Sequence, residues 1–338
     1  MIRKIFYLIA IVLIMGANGF GDKSGDKKMD ANDNNQCEKV IFASFAESEE
    51  QLDHILILAQ SIRKFGGNFQ NAPIILFVAD YVNFDSANIA QKFSLVNVEI
   101  LNSSAPKEAL WFYYAGKTFA AGLAEKEAAE RGAILVWMDD DTVLLNEPIE
   151  FILDSSINLA YRPVMHNRSG IVFGETPNPF WKRIYALLHI NKESIFPLVT
   201  PADKVEINCY FNSGLLVVRP EKGILKKWSE DFALLYSDSA LKQMCIDNVE
   251  NRIFLHQTAL VGAVLNTIQK NDMVELSRKY NYPLFFDQMF GAKEPFENIS
   301  DIVTMRYEFY FQNPDPEWSQ KLTGPQDKIA WLVEYLGK

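Results

Sequence analysis

Along most of the chain, short apolar runs alternate with longer stretches in which apolar residues recur every three or four positions. KVIFASF (39–45) predicts a strand. Ser48 and Gln51 then predict a capping box, opening a helix with Leu52, Ile55, Leu56, Ala59 and Ile62 on one face. APIILFVA (72–79) predicts a second strand, the region after Phe84 a short helix, and LVNVEIL (95–101) a third strand. Residues 115–131 predict a helix closed by Gly132, and AILVWM (133–138) the strand after it. Near-continuous apolar strands alternating with helices imply an α/β domain whose mainly parallel sheet is covered by helices on both faces. Ligands bind such sheets beyond the carboxyl ends of the strands.

The second half is less regular. YFNSGLLVVRPE (210–221) predicts a strand running into a helix over 221–236, and RIFLHQTALVGAVLNTI (252–268) a buried helix. Short strands are expected near 273–276, 283–286 and 302–309, a Pro-rich loop over 313–325, and an amphipathic helix over 326–336.

One segment breaks the pattern. In ILVWMDDDTVLLNEP (134–148), Asp139, Asp140 and Asp141 interrupt an apolar run that resumes at once. Adjacent like charges raise one another's pKa unless a cation compensates. In an extended segment Asp139 and Asp141 share a direction and offer oxygen ligands to one hard cation, Mg²⁺ or Mn²⁺. The alternative is a solvated strand end with one Asp as a turn cap. The apolar flanks favour a ligand site.

These residues resemble a known family. LVWMDDDTVLLNEPIEFI is similar to the Asp-x-Asp segment of GT-A-fold glycosyltransferases, and YFNSGLLVVRPE to the Phe-Asn-Ser-Gly strand of glycogenin- and galactosyltransferase-like members. LHQTALVGAVL stands in the place of their Asp-Gln helix and RKYNYPLFF in that of their Tyr-Asn segment, so the resemblance covers most of 39–310. It implies a single GT-A-type, Rossmann-like domain that transfers sugar from a nucleotide-diphospho-sugar donor to a glycan or other hydroxyl acceptor. Asp139 would meet the metal or the ribose, and Asp141 the metal holding the diphosphate. Asp140 would lie at the donor site. Asn212 and Ser213 would face the sugar, Gly214 would allow close backbone approach, and Gln257 would bond sugar or acceptor hydroxyls. Two positions depart from the pattern. His256 replaces the aspartate of the Asp-Gln pair, as a general base or as a structural histidine. The late histidine ligand is missing from DIVTMRYEFYFQNPDPEW, where Arg306 offers a guanidinium to a diphosphate instead. A non-catalytic glycan- or nucleotide-binding module of the same fold is the competing reading.

Other residues admit two readings each. Lys117 lies at a predicted helix start, an unfavourable end for a cation, so it either reaches the donor diphosphate or is a surface lysine. Arg162, His166 and Arg168 form either an acceptor-side lip or a polar surface loop. Trp111–Tyr114 and Tyr307–Phe311 stack on sugars or pack in the core.

Composition narrows the frame. With 338 residues, 49% hydrophobic, the chain can bury a large core, and a net charge of −10 argues against nucleic acid as partner. Arg3 and Lys4, the apolar run Ile5–Met15 and small residues to Gly19 read as a signal peptide (1–19), too short to span a bilayer comfortably. The expectation is export to a periplasm, extracellular space or secretory lumen, with no stable membrane span after cleavage. Retention of the segment as a membrane anchor is the alternative. Residues 20–37 read as a polar tether, 38–312 as the catalytic domain, and 313–338 as a C-terminal loop and helix. Cys37, Cys209 and Cys245 are compatible with one disulfide or with three isolated thiols. No Gly-rich phosphate loop and no G-x-S-x-G elbow occurs, which disfavours P-loop, dinucleotide-binding and serine hydrolase classes.

Overall fold

The structure is a computed structural model that describes residues 39–284, 296, 298–307 and 317–337. The segments read as a signal peptide and a tether, Cys37 and the aromatic run 308–311 lie outside the described residues, as does part of the expected 313–325 loop.

The first half follows the expected alternation: β1 (Val40–Ala46), α1 (Glu49–Phe65), β2 (Ile74–Ala79), α2 (Ser86–Ser94), β3 (Val98–Ser103), α3 (Ala115–Glu130) and β4 (Ile134–Met138). One half of the expected capping box forms at α1. Ser48 Oγ accepts from the Gln51 N–H at 3.2 Å, while Gln51 Oε1 reaches one residue further back, to the Glu47 N–H at 2.8 Å. Gly132 follows α3 with φ +59°, the left-handed conformation that suits glycine after a helix end.

Beyond the aspartates come β5 (Thr142–Leu144), β6 (Leu159–Pro163), α4 (Pro179–Leu187), β7 (Pro197–Val199), β8 (Glu206–Asn208) and β9 (Phe211–Val218). The chain continues through α5 (Ile224–Ser237), α6 (Ser239–Asp247), α7 (Val249–Thr267), β10 (Met273–Glu275), β11 (Tyr282–Pro283), β12 (Thr304–Arg306) and α8 (Gln326–Leu336). The helix expected over 221–236 begins only after Gly223, whose φ of +67° turns the chain out of β9.

The main sheet has the order β10-β6-β9-β4-β1-β2-β3, and only β9 runs against its neighbours. Every residue of β1, β2, β4 and β9 is buried, as strands covered on both faces require. One face packs on α3, α5 and α7 through Trp137, Leu216, Phe232 and Val261, and the other on α1 through Phe42, Leu58, Ile62 and Val136.

β5 does not extend β4 within that sheet. It joins β12 and β11 in a second, three-stranded sheet, and α8 buries Trp331, Leu332 and Leu336 against the same cluster as Val143, Leu145 and Met305. The three aspartates therefore occupy the corner at which the chain leaves one sheet for another. An uninterrupted apolar strand would not make that turn, so the acidic run interrupts nothing. No helix among the described residues is long and apolar enough to cross a membrane. Cys209 and Cys245 are free and buried, and burial pushes their thiols up to about 11 and about 12.

Candidate active site

The site forms at the carboxyl end of β4. Because β9 is antiparallel to β4, with Met138 opposite Leu215, its beginning lies at that same end, and the Asp139 N–H donates to the Gly214 carbonyl at 2.8 Å. The register thus brings the Asn212-Ser213-Gly214 segment beside the aspartates. A Cβ on Gly214 would lie 2.6 Å from Asp139 Oδ2 and 3.0 Å from Asn212 Oδ1, so this glycine serves close approach. Asn212 Oδ1 itself accepts from the Gly214 N–H at 2.8 Å.

Each aspartate of the run has its own cationic or imidazole partner. Lys117 Nζ sits 2.5 Å from Asp139 Oδ1, His54 Nδ1 2.9 Å from Asp140 Oδ2, and the Arg306 guanidinium spans both oxygens of Asp141 at 3.3 and 3.0 Å. Lys117 is buried, and the cation that looked misplaced at a helix start is explained by Asp139. Burial raises the Asp140 carboxyl above the usual carboxylate range, against the His54 contact and with the help of the neighbouring Asp141 and Asp139 charges. Tyr307 packs edge-on against His54 at 5.6 Å. Burial, with Asp140 and Asp141 close by, holds its hydroxyl protonated far above the normal phenol range.

From Lys117 a directed hydrogen-bond chain runs into the core. The ammonium donates to Ser213 Oγ at 3.2 Å, and Ser213 Oγ lies 3.1 Å from His256 Nε2. His256 Nδ1 lies 2.8 Å from the Ile253 carbonyl, which only accepts. Nδ1 therefore carries the proton, Nε2 is the acceptor, and the Ser213 hydroxyl donates to it. Burial, reinforced by the Lys117 charge, pulls the His256 pKa well below its ordinary value. The Tyr114 ring covers the imidazole at 4.6 Å and the Trp228 indole N–H holds the His256 carbonyl at 2.6 Å. A buried neutral imidazole whose one basic nitrogen accepts from Ser213 orients that serine rather than collecting an acceptor's proton.

The imidazole has a pH signature. Its folded pKa lies below the 6.5 of a free histidine, so the unfolded chain binds this proton first. Stability from His256 is complete above pH 6.5 and is lost as pH falls from there toward the folded value, at a slope approaching about 1.4 kcal/mol per pH unit. Melting curves should show wild type above His256→Gln at pH 7.5, with the gap narrowing toward pH 5. A gap that widens on acidification would contradict the neutral assignment.

Gln257 belongs to a neighbouring cluster. It makes long contacts with the Tyr210 hydroxyl (3.5 Å) and the Phe211 carbonyl (3.4 Å), and Tyr210 in turn lies 3.1 Å from Ser169 Oγ. Arg162 ties β6 to β10 through Glu275 and the Leu276 carbonyl, and Arg168 pairs with Glu250 at the start of α7. Trp111 and Tyr113 both pack on the Arg252 guanidinium, at 4.1 and 4.6 Å.

The sequence reading passed over His54 as a site residue and took Tyr114 and Tyr307 only as members of aromatic runs. For His54 a signal existed: His54 and Ser61 are two turns apart on the otherwise apolar face of α1, His54 meeting the β4–β5 corner and Ser61 the end of β5. Ser61 Oγ accepts from the Leu144 N–H at 2.9 Å. Tyr114 carries φ +61° immediately before α3, a conformation bulky residues rarely adopt. No sequence pattern announces it.

Asp139 and Asp141 each face a protein cation, Lys117 and Arg306 respectively. Among the described residues no three His, Cys, Asp or Glu side chains converge as a ligand set. A divalent ion placed between the two carboxylates would have to expel both Lys117 and Arg306 from their buried pairs and leave them beside it, so this donor set does not fit one.

Residues 46–267 match the Rhodobacterales glycosyltransferase domain. The chain belongs to that family. It is a glycosyltransferase, built on the mixed α/β sheet the sequence implied. Solved structures similar to it include the galactosyltransferase LgtC in complex with donor and acceptor sugar analogs (11% identity, 80% of this chain and 86% of that one, TM-score 0.42). The bifunctional glycosyltransferase WbbM is similar over 91% of this chain and 52% of its own, at 13% identity and TM-score 0.49. The glycosyltransferase GlyE of Streptococcus pneumoniae is similar at 15% identity over 89% and 60%, with TM-score 0.44. No curated protein matches the chain in sequence.

Proposed function

We propose that this glycosyltransferase takes its sugar from a nucleotide-diphospho-sugar and passes it to a hydroxyl of a glycan or similar acceptor, with the donor lying across Asp139, Lys117, Ser213 and Arg306. The observation that carries the reading is the single connected network from Asp139 through Lys117 and Ser213 to His256, assembled from four separate elements at the carboxyl end of the sheet. Structural burial alone would not require a lysine, an aspartate and a serine to converge there.

The chemistry asks for little beyond positioning and charge. As the bond from the sugar to the diphosphate breaks, negative charge collects on the leaving oxygens. A fixed ammonium beside them stabilises that state more than the intact donor. Ser213 and the β9 backbone at Gly214 line the approach to the sugar. His256 and Tyr114 hold Ser213 and Lys117 in place from behind. Asp140, with Tyr307 and His54 against it, closes the corner of the site.

The purified protein should release nucleoside diphosphate from at least one member of a nucleotide-sugar panel, and Asp139→Asn should suppress that release. A panel in which no member is cleaved and none raises the melting temperature would sink the donor assignment. Stabilisation by free glycans alone would point instead to a binding module.

A further inference from the structure

Two of the three aspartates at the corner are met by protein cations. Asp139 and Asp141 contribute two negative charges, and Lys117 and Arg306 two permanent positive ones, each within ion-pair distance. Within these two pairs the charges cancel, as they would for two carboxylates around a divalent ion. Asp140 stands apart, with His54.

Geometry points the same way. The Lys117 side chain is 9% exposed and that of Arg306 16%, so both cations have been withdrawn from water to meet these carboxylates. Taking them out again to admit a metal would cost both pairs and set two cations against a third. The two cations also come from different parts of the molecule. Lys117 rises from the first turn of α3, and Arg306 ends β12 in the small sheet. Lys117 has three protons, of which Asp139 and Ser213 take two.

We infer that Lys117 and Arg306 stand in for a divalent cation, so that the diphosphate of the donor binds this site without metal. The inference rests on the donor reading above and adds to it the source of the neutralising charge.

The test is nucleoside diphosphate binding by calorimetry, using UDP, GDP, ADP, CDP and dTDP as probes on the EDTA-treated protein and again with excess Mn²⁺. At least one probe should bind with affinities that agree within about twofold in the two conditions, since a twofold change is well under 1 kcal/mol. Arg306→Ala should weaken that probe roughly tenfold or more, and Arg306→Lys, which keeps the charge but not the fork, by less. Arg306→His is the decisive variant. It removes the permanent cation and offers an imidazole beside Asp141, two residues along the chain from Asp139, a donor set that suits Mn²⁺. Its metal-free binding should fall and Mn²⁺ should restore it. Mn²⁺ added alone and followed by electron paramagnetic resonance should bind Arg306→His and not wild type. Circular dichroism of each variant separates loss of site from loss of fold, and Arg306→Lys keeps the comparison open if the alanine variant unfolds. Wild-type binding that needs Mn²⁺ would overturn this inference and leave the donor reading intact. Absence of binding by every probe in both conditions would overturn both.

Discussion

Lys117→Met is expected to lower turnover of the accepted donor by roughly 100- to 1,000-fold, the range seen when one preorganised charge-stabilising donor is removed from an active site. The same substitution strips Asp139 of its partner. Breaking a buried pair costs about 3 kcal/mol or more. The cost here should fall at or below that figure, because the Asp139 side chain keeps 19% exposure. The two effects are separable. In Lys117→Met/Asp139→Asn the orphaned charge is gone, so urea denaturation should return most of the lost stability, while activity stays at the level of the single variant. Norleucine-like packing by Met preserves the stem against Tyr114, which lies 5.6 Å from the ammonium in wild type. A single variant with full activity, or a double variant that recovers it, would remove Lys117 from the proposed chemistry.

This pair also shows where sequence reasoning had purchase. A lysine in the first turn of a helix conflicts with the helix dipole, and local rules offer no remedy. That conflict was visible in one dimension. Its resolution is a carboxylate 22 positions further on, brought near only because α3 returns antiparallel to β4 across one face of the sheet. The parallel strands were legible for a related reason: burial on both faces writes an apolar run with no alternation. The same uniformity hid the direction of β9, since a strand apolar on both sides reads alike in either orientation. It hid the corner at the aspartates too, because Thr142-Val143-Leu144 looks the same whether it prolongs one sheet or begins another. Between 171 and 209, α4 and the β7–β8 pair escaped notice. Their segments are short, and only Phe180, Trp181 and Ile184 of α4 are buried, too few for a clear stripe.

The side-chain partners of the aspartates escaped the sequence reading for a different physical reason. Two aspartates spaced by one residue specify negative charge at a point, and either a divalent ion or two side-chain cations satisfies that demand. Arg306 is 165 residues from Asp141, and its pairing depends on β12 running antiparallel to β5 with Arg306 opposite Thr142. That register is a property of the small sheet, which no local pattern foretold. The missing late histidine was the legible half of the fact; the bidentate arginine was the other.

Gly214→Ala is the second large effect expected, and it tests the same geometry from the backbone side. The new methyl would lie 2.6 Å from Asp139 Oδ2 and 3.0 Å from Asn212 Oδ1, inside van der Waals contact with both. β9 cannot retreat, because it is hydrogen-bonded to β4 on one side and β6 on the other and is buried along its whole length. Overpacking of this kind costs about 1–3 kcal/mol. The cheaper relief is rotation of Asp139, which draws Oδ1 away from Lys117. Displacement of a positioning group by about 1 Å costs on the order of 100-fold in rate, so kcat/KM should fall by roughly that factor in a protein that still melts cooperatively. Gly214→Ala and Lys117→Met would then damage one interaction, and residues that share a partner are not additive. Gly214→Ala/Lys117→Met should be little worse in activity than the worse of the two single variants. If the losses instead multiply, Asp139 and Lys117 do not act as a unit, and the network from Asp139 to His256 loses its claim to be the centre of the site.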